Sequence, residues 1–363
     1  MGTRMGMALG GCIVVVVVLA ACASPTPPVG LTVAPTVTPT PRVLNIYNWD
    51  TYMDPAVLTS FEQEFGVTIQ YDIYASNEEM LERVTSSSVD YDIVVPTDYM
   101  VAIMRRQGLL SPLNRANIPN FDNLDPAFIN PVYDPGNRYC IPYQWGTMGI
   151  GYNIRATGRE IESWADLFDP AFAGRIAMLG DARLTMGVVL LYLGYSPNTT
   201  SAAEIAAARD FLLAHSDAIA AYAPDTGQDM LAAGEVDLAF EWSGDVFQVM
   251  AEDPDLRYVI PREGSLIWTD NMCILAGAPH QALAETFINY VLRPEVGAAI
   301  SNYIHFSSPN QAALPLIQAE DRNNPALYPP ADVRARLFFL ADVGEATALY
   351  DQAWAEVLAA WNP

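Results

Sequence analysis

From Val43 onward the chain alternates short runs rich in β-branched and aromatic residues with stretches of helical periodicity. Few folds accommodate that pattern. Val43–Asn48, Val67–Tyr74 and Tyr91–Pro96 read as strands, and Pro55–Phe65, Asn77–Ser87 and Tyr99–Gln107 as helices. Asp54 is placed as an N-cap with Pro55 in the first helical position, and Gly108 stops the third helix. Strand–helix alternation predicts an α/β domain with a mainly parallel sheet, because parallel neighbours need a crossover between them. A second block of the same kind starts near Gly149. It has strands at Arg175–Leu179, Val236–Trp242, Leu256–Ile260 and Asp270–Ala276. Its helices fall at Leu184–Leu193, Ala202–His215 and, as one long segment, Gln281–Ile304. Roughly 320 residues are too many for one core and suit two lobes with a cleft between them.

The N-terminus is of another character. Arg4 precedes an apolar run, Ile13–Ala21, that ends in Leu19-Ala-Ala-Cys22. The run is too short to span a membrane and reads as a secretion signal over residues 1–21. It resembles a bacterial lipobox, which makes Cys22 the expected lipidated residue of the mature chain. Lipidation anchors a protein without spanning the membrane. Residues 22–42 are Pro-, Thr- and Val-rich and read as an extended tether, reaching on the order of 50–60 Å. Cys140 and Cys273 remain, either as a disulfide or as two buried thiols.

The chain carries 18 basic residues, none of them lysine, against 42 acidic ones. A phosphate-loop ATPase needs a lysine, and nucleic-acid binding needs a basic surface; both are excluded. With three histidines, no G-x-S-x-G and no H-E-x-x-H, nothing local supports nucleophilic or zinc catalysis. No metal or other cofactor is expected.

In open α/β sheets ligands sit beyond the carboxyl ends of strands, and here those positions pair aromatic rings with carboxylates. Trp49-Asp-Thr-Tyr52 follows the first strand and Thr97-Asp-Tyr99 the third. Glu241-Trp-Ser-Gly-Asp245 ends another, Asp181 follows Leu179-Gly180, and Trp268-Thr-Asp270 precedes the strand at Asn271. Ring faces attract cations and carboxylates bind ammonium groups. Stacked rings also cover methylenes, at about 0.8 kcal/mol per CH₂. The combination suits an extended alkyl amine. Asp98 and Asp181 equally suit the plain role of helix N-cap.

At these residues the chain resembles the periplasmic spermidine/putrescine-binding protein family. The likeness covers nearly all of Val43–Ala359. It includes Tyr47-Asn-Trp-Asp-Thr-Tyr52, Tyr91-Asp-Ile-Val-Val-Pro96, Ile141-Pro-Tyr-Gln-Trp-Gly146, Ser163-Trp-Ala-Asp-Leu167, Gly234-Glu-Val-Asp-Leu238, Leu292-Arg-Pro-Glu-Val296 and Ser308-Pro-Asn310. The resemblance implies a two-lobed periplasmic-binding-protein fold of type II with a hinge cleft. It implies a solute-binding subunit that hands a polyamine to the permease subunits of an ABC importer. On that architecture the first lobe comprises 43–147 and 269–330, the second 148–268, and C-terminal helices occupy 331–363. The hinge strands lie near Trp145-Gly146 and Trp268–Asp270. A monomer is expected, outside the cytoplasm and held by its lipid.

The resemblance places Trp49, Tyr52, Tyr99, Trp242, Trp268 and Asp270 at aromatic and acidic ligand contacts, with Asp50 a contact whose carboxylate is displaced by one position. Asp181 falls on a further carboxylate and Thr97 on a hydroxyl contact. Asp245 matches an acid of the putrescine-preferring branch, and Phe306 stands where a tyrosine is usual. Three departures bear on ligand length. Leu184 replaces a glutamate, Leu340 replaces a glutamine, and Asp50-Thr51 reverses the usual order of hydroxyl and acid. They point to a shorter amine or one with a neutral end. The same fold binding another organic cation, or serving as a ligand sensor, is the alternative.

Overall fold

Ten strands form one hydrogen-bonded sheet system among the residues that the computed structural model describes, 42–86 and 91–361. The signal segment, Cys22 and the tether up to residue 41 lie outside the described residues, and Arg42, expected as the tether's last residue, opens the first strand. The strands are β1 (Arg42–Trp49), β2 (Val67–Tyr74), β3 (Ile93–Val94), β4 (Cys140–Asn153), β5 (Ile176–Leu179), β6 (Ile219–Ala223), β7 (Leu238–Trp242), β8 (Leu256–Val259), β9 (Ser265–Ile274) and β10 (Leu337–Phe339). Their order is β2-β1-β3-β9-β4-β7-β5-β6, with β10 on β9 and β8 on β4.

Two parallel triplets, β2-β1-β3 and β7-β5-β6, thus flank one antiparallel pair. That pair is β4·β9, with Gln144 opposite Asp270, Trp145 opposite Thr269 and Gly146 opposite Trp268. Strand β4 changes partners along its length. Residues Cys140–Thr147 pair with β9, whereas Met148–Asn153 pair with β7 and β8. Cys140 and Cys273 face each other across the pair and form a disulfide.

Local chemistry explains the first helix. Asp54 accepts a hydrogen bond from Ala56 N at 2.8 Å, Pro55 holds the first position, and Gly66 closes the helix at φ 61°. On the side of β1 and β3, Leu44, Ile46, Phe61, Ile93 and Phe287 are fully buried. Trp164 and Phe240 anchor the other half, their rings 5.4 Å apart edge to face.

Four expectations shift. The strand at Tyr91–Pro96 shrinks to Ile93–Val94; beyond it only an isolated bridge, Thr97 to Asp270, continues the pairing. The strand expected at Asp270–Ala276 begins at Ser265, so Trp268 and Asp270 lie inside it. Its partner β4, expected only as a hinge strand near Trp145-Gly146, runs from Cys140 to Asn153; Pro142 and three glycines disguise the length of a strand buried on both faces. The long helix over Gln281–Ile304 is two helices, Gln281–Val291 and Pro294–Ile304. Pro294 lacks the N–H that would continue the first and is preorganised to start the second. Finally, residues 331–363 hold a strand, β10, besides helices at Ala331–Arg334 and Thr347–Ala360.

Candidate functional site

The ends of β1 and β7 and the middle of β9 converge on one small cavity of about 20 Å³. Trp49, Asp50, Tyr52, Trp242, Asp245, Trp268, Asp270 and Phe306 line it, with Asp225. Eight of the eleven candidate contacts therefore meet in one place.

The rings form a cage of mostly perpendicular walls. Trp242 meets Trp268 at 5.2 Å and 90°, and Tyr52 meets Phe306 at 5.0 Å and 89°. Trp49 stands 6.0 Å from Trp242, its Nε1 donating to Val95 O at 2.9 Å. Phe306 reaches the cage because His305 ends the Pro294–Ile304 helix in the left-handed region, φ 57°, and reverses the chain. Gly244, in the first turn of the Ser243–Glu252 helix, makes room for that ring. A Cβ there would lie 2.3 Å from Phe306 ring atoms.

Asp270 is 5 % exposed, and its Oδ1 accepts a hydrogen bond from Thr97 Oγ1 at 2.7 Å. Thr97 in turn accepts from Asn77 Nδ2 at 3.0 Å. Thr97 thus belongs to the site through Asp270. Burial pushes the Asp270 carboxyl up to about 7. Asp245, in the first turn of the Ser243–Glu252 helix, is raised well above the ordinary carboxylate range by burial and then by Asp225 and Glu241.

Asp181 and Tyr99 are placed differently. Asp181 caps the Ala182–Tyr192 helix by accepting from Leu184 N at 2.8 Å. It also lines an adjoining cavity of about 130 Å³, which shares Trp49, Asp225 and Trp242 with the first. Tyr99 is not brought to the cage; its hydroxyl donates to Glu78 Oε1 at 3.2 Å. The N-cap reading is right for Asp181 and fails for Asp98. Thr97 holds the cap position, and Asp98 accepts from Tyr99 N and Thr269 N instead.

The sequence reading missed Asp225. It follows Ala223-Pro224 at the carboxyl end of β6, a strand that was not anticipated because Ile219–Ala223 is mostly alanine. Burial, then Asp50 and Asp229, push its carboxyl up to about 7. One oxygen each of Asp225, Glu241 and Asp245 lies within 4.8 Å of the other two. Glu241 accepts from Gly227 N and Trp242 N and is committed to the backbone. The charges acting most strongly on Asp225, Asp245 and Asp270 are other carboxylates. Such a cage stabilises a cation with an apolar body: rings around methylenes, acids at the charged ends.

The bacterial extracellular solute-binding protein model matches residues 56–327. A spermidine/putrescine-binding periplasmic protein of Salmonella typhimurium is 37 % identical over 311 residues, covering 85 % of this chain and 89 % of that one. A putrescine-binding periplasmic protein of Escherichia coli is 34 % identical over 319 residues, 82 % of this chain and 86 % of its own. Among solved structures, a spermidine/putrescine ABC transporter protein of Listeria monocytogenes superposes with a TM-score of 0.84 at 35 % identity, over 87 % of this chain and 99 % of that one. With its two-lobed α/β architecture and a cage of rings and carboxylates at the strand ends, the chain belongs to the bacterial extracellular solute-binding protein family.

Proposed function

We propose that this protein captures a polyamine, putrescine- or spermidine-like, outside the cytoplasm and delivers it to the permease subunits of an ABC-type importer. The observation that carries the reading is the aromatic cage with buried carboxylates and no protein cation among its lining residues. Buried acids of that kind are favoured as anions only when a cation arrives. The names of the relatives support the same ligand class. Trp49, Asp50, Tyr52, Trp242, Asp245, Trp268, Asp270 and Phe306 are the proposed direct contacts. Thr97 acts on the ligand through Asp270 and Asp181 from the adjoining cavity, whereas Tyr99 lines neither.

The mechanism is capture by closure. Trp49, Tyr52, Asp270 and Phe306 belong to the proposed first lobe, 43–147 with 269–330. Trp242, Asp245 and Trp268 belong to the second, 148–268. Strands β4 and β9 change neighbours near Thr147 and Ile267 and supply the bending points. A ligand touching both sides stabilises the closed form by its differential affinity for it. The chain acts as a monomer, held to the membrane by acylated Cys22 through the tether. It binds its ligand without transforming it.

The test is calorimetry and thermal shift on purified protein stripped of co-purified ligand, against putrescine, cadaverine, spermidine, spermine, choline-like cations and anionic controls. A micromolar binder at about a thousand times its Kd stabilises by about 4 kcal/mol. A melting shift of several degrees with a polyamine is expected; none with any amine would overturn the reading.

A further inference from the structure

We propose that Asp225 is a ligand-facing carboxylate that, with Asp245, holds one ammonium group of a ligand whose other ammonium lies against Asp270, so that the site selects diamines and triamines over monoamines. The inference rests on the amine-binding reading above and assigns the residue that decides ligand valence.

Two observations carry it. First, Asp225 lines both cavities, sharing that position only with Trp49 and Trp242. It therefore sits where a chain-like ligand passes from one compartment to the next, between two indoles. Second, of the three acids clustered within 4.8 Å, Glu241 is held by two backbone N–H groups and does not line the cavity. Asp225 and Asp245 are left facing the space.

The charge balance then sets the valence. The groups facing Asp225 are Asp50 beyond β1, Asp229 on the Gly227–Ala232 helix, Glu241 on β7, Asp245 on the Ser243–Glu252 helix and, across the cavity, Asp270 on β9. All are acids. A single ammonium at Asp270 leaves the Asp225–Asp245 pair holding protons, with no pairing gained there, whereas a second ammonium draws those protons off and forms charge-assisted hydrogen bonds with the pair. Burying an unpaired carboxylate is strongly unfavourable.

Asp225 has φ 50°, a region asparagine tolerates, so Asp225→Asn removes the charge without opposing the backbone. Wild-type protein and this variant are titrated calorimetrically with n-butylamine, putrescine and spermidine. Two buffers of different ionisation enthalpy count the protons released. Putrescine affinity should fall about tenfold to a hundredfold in the variant, a hydrogen-bonded charge's worth. n-Butylamine affinity should stay within about twofold, and proton release at pH 7 should drop. Asp225→Ser should give the same split. Unchanged putrescine binding in both variants, with the wild type binding diamines, would overturn the role of Asp225 and leave the amine reading intact. A wild type that binds no amine would overturn both. Calcium that binds the wild type, is lost in Asp225→Asn and competes with putrescine would reassign the cluster to a metal and overturn the proposal.

Discussion

Replacing Asp270 by asparagine should weaken the liganded state and strengthen the empty one. The side chain keeps its volume, and Thr97 Oγ1, now 2.7 Å from Oδ1, still finds a carbonyl acceptor. Only the charge is lost. Breaking a buried charge pair by removing one partner costs about 3–5 kcal/mol. The ligand-free carboxyl, at about 7, is half protonated at neutral pH, and the retained hydrogen bond softens the loss. An effect of about 2–3 kcal/mol is therefore expected, a putrescine affinity lower by roughly 30- to 150-fold. The empty protein moves the other way. A carboxyl raised from 3.8 to about 7 disfavours folding once ionised, an effect absent near pH 3, growing between those values and complete above pH 7. The full displacement corresponds to roughly 4 kcal/mol at pH 8, an upper bound because solvent and neighbours relax. The ligand-free variant should melt several degrees above wild type at pH 8 and alongside it at pH 3. Calorimetry with putrescine and pH-resolved thermal unfolding read both arms. Unchanged affinity, or an empty variant less stable than wild type at pH 8, would refute the reasoning.

Three further predictions follow the same physics. Polyamine affinity should fall as pH drops through 7, by at least roughly a hundredfold at pH 5. Asp225 and Asp270, both near 7 when empty, must give up protons to pair with the ligand; calorimetric titration from pH 8 to 5 checks this, and a flat profile contradicts it. Gly244→Ala should displace Phe306, whose ring atoms lie 2.3 Å from the added Cβ. It should destabilise by about 1–3 kcal/mol and weaken binding about tenfold, read by denaturant melts and titration. Joint replacement of Cys140 and Cys273 by serine should cost about 3–5 kcal/mol, since the bond closes a loop with a sequence separation of 133. Putrescine affinity should stay within about threefold, because the bond does not line the cavity.

Much of the site was legible because its residues cluster at strand ends that announce themselves locally. Trp49 and Trp242 end strands whose β-branched and aromatic runs are plain in the sequence, and their positions in the structure agree. The same procedure lost Asp225, whose strand Ile219–Ala223 is mostly alanine and carries no β signal. It also set Trp268 and Asp270 at a strand boundary, since a strand's start depends on what it pairs with. Their partner β4 is held by burial on both faces despite its proline and glycines.

What the sequence by itself determined are properties that each residue carries locally: the α/β alternation, the Asp54–Pro55 helix start, the break imposed by Pro294, the acidic and lysine-free balance, and the pairing of rings with acids. Tertiary structure alone decided which of these meet. It joined Cys140 to Cys273, separated Tyr99 from the cage, closed Phe306 onto Tyr52 through a left-handed His305, and stood Asp225 beside Asp245. Those outcomes depend on contacts between residues far apart in the chain, and on burial, which raises a carboxyl's pKa only once the surrounding chain has excluded water.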